Sequence, residues 1–176
     1  MKKNNKGYSL VELIIVIAIM ALLTGTAFFS INMIFGASAK TCANDIKEAL
    51  AENKVTAMGK SEARVEIYRE VSDNCVYVRQ WVKEGGVWES KDPEQLGNSR
   101  VYVAYKPDGG AETELAPGGS LWLCYDRGNG SFKSAGDDGP VKGCILCEKI
   151  YVRGGSRSYE LTLVQLTGKV EMELLP

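Results

Sequence analysis

Apolar and polar positions divide the chain into three stretches with different periods. From Leu13 to Phe35, 23 residues run without a formal charge and without a clear period. About 20 such residues suffice for a helix to cross a bilayer. Beyond Ala39 the pattern becomes helical and one-sided. Cys42, Ile46, Ala49, Leu50, Asn53 and Ala57 follow a helical spacing, while Asp45, Lys47, Glu48, Glu52 and Lys54 fall mainly elsewhere. Gly59 is a natural stop. Read continuously from Tyr8, this is one helix of roughly 50 residues, about 75 Å long. A stalk followed by a short separate helix after Gly36 fits the same pattern.

After Gly59 the period changes to two. In "ARVEIYREV", Val65 and Ile67 share one face and Arg64, Glu66 and Tyr68 the other. "CVYVRQWV" alternates through Val76, Val78 and Val82, followed by a turn at Glu84-Gly85-Gly86. Further strands are predicted at "VYVAY" (101–105), "SLWLCYD" (120–126), "CILCEKIYV" (144–152) and "SYELTLVQL" (158–166). A last hairpin turns at Thr167-Gly168-Lys169 into "VEMELL". The expected class is α+β: a long N-terminal helix whose C-terminal half packs on an antiparallel sheet.

Charge sharpens the division. The net charge is -1, but Lys2, Lys3 and Lys6 open the chain; the remainder holds 18 basic and 22 acidic residues. An acidic balance disfavours non-specific binding of nucleic acid or anionic lipid by the whole surface. Histidine is absent, which excludes histidine acid–base catalysis and His-ligated zinc. No catalytic constellation is evident, and no cofactor or metal is expected. Four of the five cysteines, Cys75, Cys124, Cys144 and Cys147, lie in the strand-rich part and allow three disulfide pairings. Buried thiols are the alternative; Cys144-x-x-Cys147 lacks the second CxxC of a zinc site and the βαβ context of a redox motif.

The basic start followed by an apolar run is compatible with three fates. Ala37-Ser38-Ala39 has the small-x-small form of a signal-peptide cleavage site, but 23 apolar residues exceed the usual 7–15. A plain membrane anchor fits the length and leaves Glu12 unexplained. The third fate rests on Gly7-Tyr8-Ser9-Leu10-Val11-Glu12, which resembles the processing site of type IV prepilins and type II secretion pseudopilins. The resemblance implies cleavage after Gly7 by a prepilin peptidase and N-methylation of Tyr8, with Glu12 fifth in the mature chain. The new amine would be a cation available to Glu12 of the same or a neighbouring subunit. One departure is Phe29, where many pilins carry a helix-breaking proline.

The resemblance sets further expectations. Residues 1–7 would be the leader, 8–36 the membrane and filament-core helix, 37–59 its amphipathic half, and 60–176 an extracellular β-rich domain. The stretches "CANDIKEALAENKVTAMGKSEARVEIYRE", "LWLCYDRGNGSFKSAG" and "LTLVQLTGKVEM" are similar to the GspH/FimT-type minor pilins. A type IV pilin-like fold follows, with other pilin or pseudopilin subunits, the peptidase, an inner-membrane assembly platform and membrane lipid as partners. The subunit would be single-pass in the cell membrane before assembly, and in an extracellular or periplasmic filament afterwards.

Two local features compete with this structural role. Asp137-Asp138 has the composition of half a calcium site or of a solvated turn. Six basic and three acidic residues lie between Arg127 and Arg157, so Lys149, Arg153 and Arg157 are candidates for a DNA-binding patch. A membrane-anchored adhesion or DNA-binding module is the rival reading; a solvated face is the alternative for the patch.

Overall fold

The computed structural model describes residues 10–59 and 61–176, and of residues 25–34 the backbone alone. Among the described residues one helix, α1 (Leu10–Gly59), precedes eleven strands: β1 (Glu62–Arg69), β2 (Val76–Glu84), β3 (Val87–Ser90), β4 (Glu94–Gly97), β5 (Tyr102–Pro107), β6 (Thr113–Glu114), β7 (Ser120–Tyr125), β8 (Phe132–Lys133), β9 (Cys147–Gly154), β10 (Arg157–Val164) and β11 (Lys169–Leu175). The helix is unbroken through Gly25, Phe29 and Gly36. Its second half is rich in alanine, the best helix former, and it ends at Gly59.

The strands form two antiparallel sheets rather than one. The first has the order β3-β2-β1-β7-β8, with β4 also on β2; the second is β11-β10-β9-β5-β6. Alternation selects the inner faces. Val65 and Ile67 of β1, Leu121 and Leu123 of β7, Ile150 and Val152 of β9, and Leu161 and Leu163 of β10 all point into one core. α1 touches strands of both sheets. Its stripe of Cys42, Ile46, Ala49, Leu50, Asn53 and Ala57, joined by Ala39 and Ala43, is buried there. Burying Ile46 and Leu50 fully contributes about 1.5–3 kcal/mol each.

Two polar devices fix the helix and the sheets against each other. Gln80 occupies an inner position of β2 that alternation would give to an apolar residue. Its Nε2 donates to the Ala49 carbonyl at 2.9 Å, and its Oε1 accepts from Asn53 Nδ2 at 2.8 Å. Arg69, at the end of β1 and only 5 % exposed, donates to the carbonyls of Leu115, Asn74 and Val101, each at 2.8 Å. One guanidinium thereby holds the first sheet to the segments flanking β5 and β6.

Helix and sheet meet closely at Gly154. A Cβ there would lie 2.8 Å from the Phe35 carbonyl and 3.0 Å from the Ala39 Cβ, so the approach requires a residue without a side chain. The β10–β11 hairpin depends on Gly168 in another way. It has φ +60° and packs against the Gly130 backbone.

The structure corrects several expected elements. The strand expected from Cys144 begins at Cys147; Cys144 forms only an isolated bridge to Ala135. β3, β4, β6 and β8 were not expected, because segments of two to four residues are too short to show a period. Asp137-Asp138 is not a freely solvated turn. Asp138 Oδ2 accepts from Lys83 Nζ at 2.6 Å and from Trp88 Nε1 at 3.0 Å, while Asp137 Oδ1 accepts from the Gly143 N–H at 2.6 Å.

Two substitutions test this packing. Gly154→Val should lower stability by about 1–3 kcal/mol in urea titration by forcing α1 off β9; an unchanged midpoint would mean the approach is not close. Arg69→Ala should cost at least about 2 kcal/mol, and Arg69→Lys should fail to restore it, because an ammonium cannot span three carbonyls in the guanidinium's fixed geometry. Full rescue by lysine would reduce the contact to charge alone.

Candidate functional site: the exposed helix and the charged faces

The first part of α1 is exposed along its described side chains. Every residue from 10 to 24 is exposed, including Leu10 at 77 %, Ile14 at 56 % and Leu22 at 72 %. These apolar side chains cover all sides of the helix, not one stripe. A helix of this kind is stable only within lipid or among other apolar helices. Glu12 is the one ionisable side chain between residues 10 and 24, and it lies in the first described turn, where a carboxylate suits the positive end of the helix dipole. Gly7 and Tyr8 lie outside the described residues. Among the described residues no helix is long and apolar enough to cross a membrane. The apolar stretch described with its side chains ends at Thr24, and the sequence carries it on to Phe35.

The candidate DNA-binding residues are brought partly together, each with a companion. Lys149 and Arg153 lie on the outer face of β9. Lys149 Nζ contacts Glu160 Oε1 at 2.7 Å, which raises its pKa. Arg153 contacts Glu112 at 2.9 Å and stacks over Tyr102 and Tyr151, each ring centre 5.3 Å away. Beside them Lys106 meets Glu148 at 2.5 Å and, with the Gly109 N–H, holds that carboxyl below its usual range. Arg157 lies elsewhere, its side chain against Gly36 of the helix. Arg127 and Lys133 belong to another edge, where they line a small cavity of about 40 Å³ with Arg64 and Cys124. The basic run is therefore dispersed, and Lys149 and Arg153 are each paired with a carboxylate.

All five cysteines are thiols in the structure. Cys42 faces the core beside Gly97, where burial pushes its pKa up to about 12. Cys147 also faces the core and donates to the carbonyls of Lys106 and Lys149 at 3.2 Å each. Cys75 is half-exposed at the β1–β2 turn, with its N–H on Asp73. Cys124 and Cys144 share a second buried cluster with Trp88, Trp122 and Val141. The CxxC pair is thus split, Cys147 to the main core and Cys144 to the far side of the first sheet. Among the described residues no three His, Cys, Asp or Glu side chains gather to hold a metal ion.

Sequence reasoning missed an acidic recess of about 300 Å³ between α1 and β4. It is lined by Asp45, Glu48, Glu52, Asp92 and Glu94, with Lys91 bonded to Glu52 at 2.7 Å. Its acids come from two separate stretches of chain, α1 and the segment 92–94, so only the fold assembles them. Burial, then Glu48 and Glu94, raise the Asp45 pKa.

Residues 2–28 match the prokaryotic N-terminal methylation motif. The match supports a type IV pilin-like chain that is a substrate of prepilin peptidase. Neither a curated protein nor a solved structure matches the chain.

The recess generates a pH prediction. A carboxyl whose pKa is higher in the folded than in the unfolded chain destabilises the fold above that folded pKa. The penalty fades as pH falls and is gone below the unfolded value. Asp45→Asn should therefore raise the thermal midpoint at pH 7, with the advantage vanishing below about pH 4. A variant less stable than wild type at pH 7 would contradict this.

Proposed function

We propose that the chain is a structural filament subunit, a minor pilin or pseudopilin, and not an enzyme. The observation that carries the reading is overlap: the methylation motif of residues 2–28 covers the start of α1, where the apolar side chains of residues 10–24 are exposed on every side. Such a helix needs lipid before assembly and neighbouring helices afterwards. The rod to residue 36 supplies the membrane and filament-core segment. Residues 37–59 tie it to the domain, which is carried on the outer side of the membrane and then on the filament. The stretches similar to GspH/FimT-type minor pilins, in the later part of α1 and within residues 60–176, support the minor-subunit reading and a type IV pilin-like fold.

Glu12 gives the rod its register. A carboxylate placed in a membrane is costly, on the order of 2.5–3.5 kcal/mol for Asp at a helix centre on insertion scales. Cleavage after Gly7 creates the amine of Tyr8, charged at neutral pH before methylation and basic after it. Pairing of that amine with Glu12 of a neighbour offsets the cost and selects the filament over the bilayer. Uncut, the lysines at 2, 3 and 6 hold the helix end at the cytoplasmic surface.

Mass spectrometry of the mature chain is the direct test. It should begin at a methylated Tyr8; a start at Lys40 would mean ordinary secretion, and an intact Met1 a simple anchor. In cells making the filament, Glu12→Ala should still be processed, while its incorporation falls by at least roughly tenfold, the factor for 1.4 kcal/mol. Incorporation at wild-type level would remove Glu12 from assembly.

A further inference from the structure

Two cysteines far apart in sequence are held side by side behind the first sheet. Cys124 lies near the end of β7, paired through its backbone with Lys133 of β8. Two residues on, Ala135 exchanges both backbone hydrogen bonds with Cys144, at 3.1 and 2.8 Å. Ile145 then donates its N–H to the Trp122 carbonyl of β7 at 3.1 Å. Residue 144 is therefore anchored to the strand that carries Cys124 and to the strand extension beside it. Both side chains are almost fully buried, 2 % and 3 % exposed, in the cluster formed with Trp88, Trp122 and Val141.

We propose that Cys124 and Cys144 form an intramolecular disulfide, which fastens the segment 126–146 over the outer face of the first sheet. The other thiols are placed against competing pairings. Cys147 points into the main core, Cys42 lies on α1 beside Gly97, and Cys75 sits at the β1–β2 turn. The segment that would be fastened is already held by polar contacts. Arg64 donates from one nitrogen to the carbonyls of Gly136 and Lys142 at 2.8 and 2.6 Å, and Asp138 takes Lys83 and Trp88. The bond adds a covalent closure to a loop whose ends are already positioned, so little native rearrangement is needed.

The chemistry is an exchange with a disulfide-bearing oxidant, such as oxidised glutathione or a thiol–disulfide oxidoreductase. The Cys124 thiolate attacks one oxidant sulfur and expels the other as a thiol, leaving a mixed disulfide. Cys144, giving up its proton, attacks the Cys124 sulfur and releases the second thiol. Two protons and two electrons pass from the cysteines to the oxidant. Cys124 suits the attacking role. Its hydrogen-bonding partner Cys144, with Lys133 and Arg64 nearby, lowers its pKa, while the same contact and burial raise that of Cys144. The proposal does not depend on filament assembly.

The test uses the full chain in detergent, equilibrated with graded ratios of oxidised to reduced glutathione. It is then denatured, alkylated and mapped by mass spectrometry without reduction. A linked Cys124–Cys144 peptide is expected, with Cys42, Cys75 and Cys147 alkylated. Cys124→Ser should leave Cys144 alkylated rather than re-paired. The oxidised chain should also resist tryptic cutting at Arg127, Lys133 and Lys142 by roughly tenfold over the reduced chain. Linkage of Cys144 to Cys147 or Cys75, or five alkylated cysteines under full oxidation, would overturn the assignment. So would equal cutting of oxidised and reduced chains, for the fastening of the segment.

Discussion

The seating of one stripe of α1 across both sheets is the contact on which the rest depends. Ala39, Cys42, Ala43, Ile46 and Leu50 are wholly buried, and strands from both sheets close over them. Small residues at 39, 43, 49 and 57 let the sheets approach, while Ile46 and Leu50 fill the centre. Gly154 marks where this regime begins, since nothing larger fits between β9 and the Phe35 carbonyl. Between residues 10 and 24 the same helix presents exposed apolar side chains all round. The domain thus stabilises the later part of the helix and leaves residues 10–24 in need of a different solvent or of other helices.

Polar groups in the interior specify this arrangement more than they strengthen it. Gln80 and Asn53 bond to each other where two sheet and helix positions would otherwise be apolar, so a slipped helix would strand buried amides. Arg69 does the same between the sheets by serving three carbonyls. On the outer faces the logic is different. Lys106–Glu148, Lys149–Glu160 and Arg153–Glu112 lie in partly solvated surroundings, where such pairs contribute little to stability. Two of them, at Lys149 and Arg153, offset members of a basic run that looks concentrated only when read along the chain.

The segment 126–146 follows neither pattern. It has almost no regular structure, yet it covers Trp88 and Trp122 and is tied down through Arg64, Asp138 and the Cys144 backbone. A cover built from turns holds its place through side chains and isolated bridges rather than ladders, so its stability is local. A covalent tie is most effective in such a place, because the ladders elsewhere already restrain the strands.

The helix was legible because its signal is long and redundant: alanine, isoleucine and leucine at helical spacing, then Gly59. The main strands were legible because alternation persists over six to nine residues. The apolar rod and its single carboxylate were also plain from sequence, since a run without charge needs no partner to be recognised. The division into two sheets, the four short strands and the split of Cys144 from Cys147 were not legible. Each depends on which distant segment lies alongside, and pairing energy between strands leaves no mark in either one alone. The acidic recess and the separation of Arg157 from Lys149 and Arg153 were hidden for the same reason. Charge acts through distance in space, and only the folded chain sets that distance.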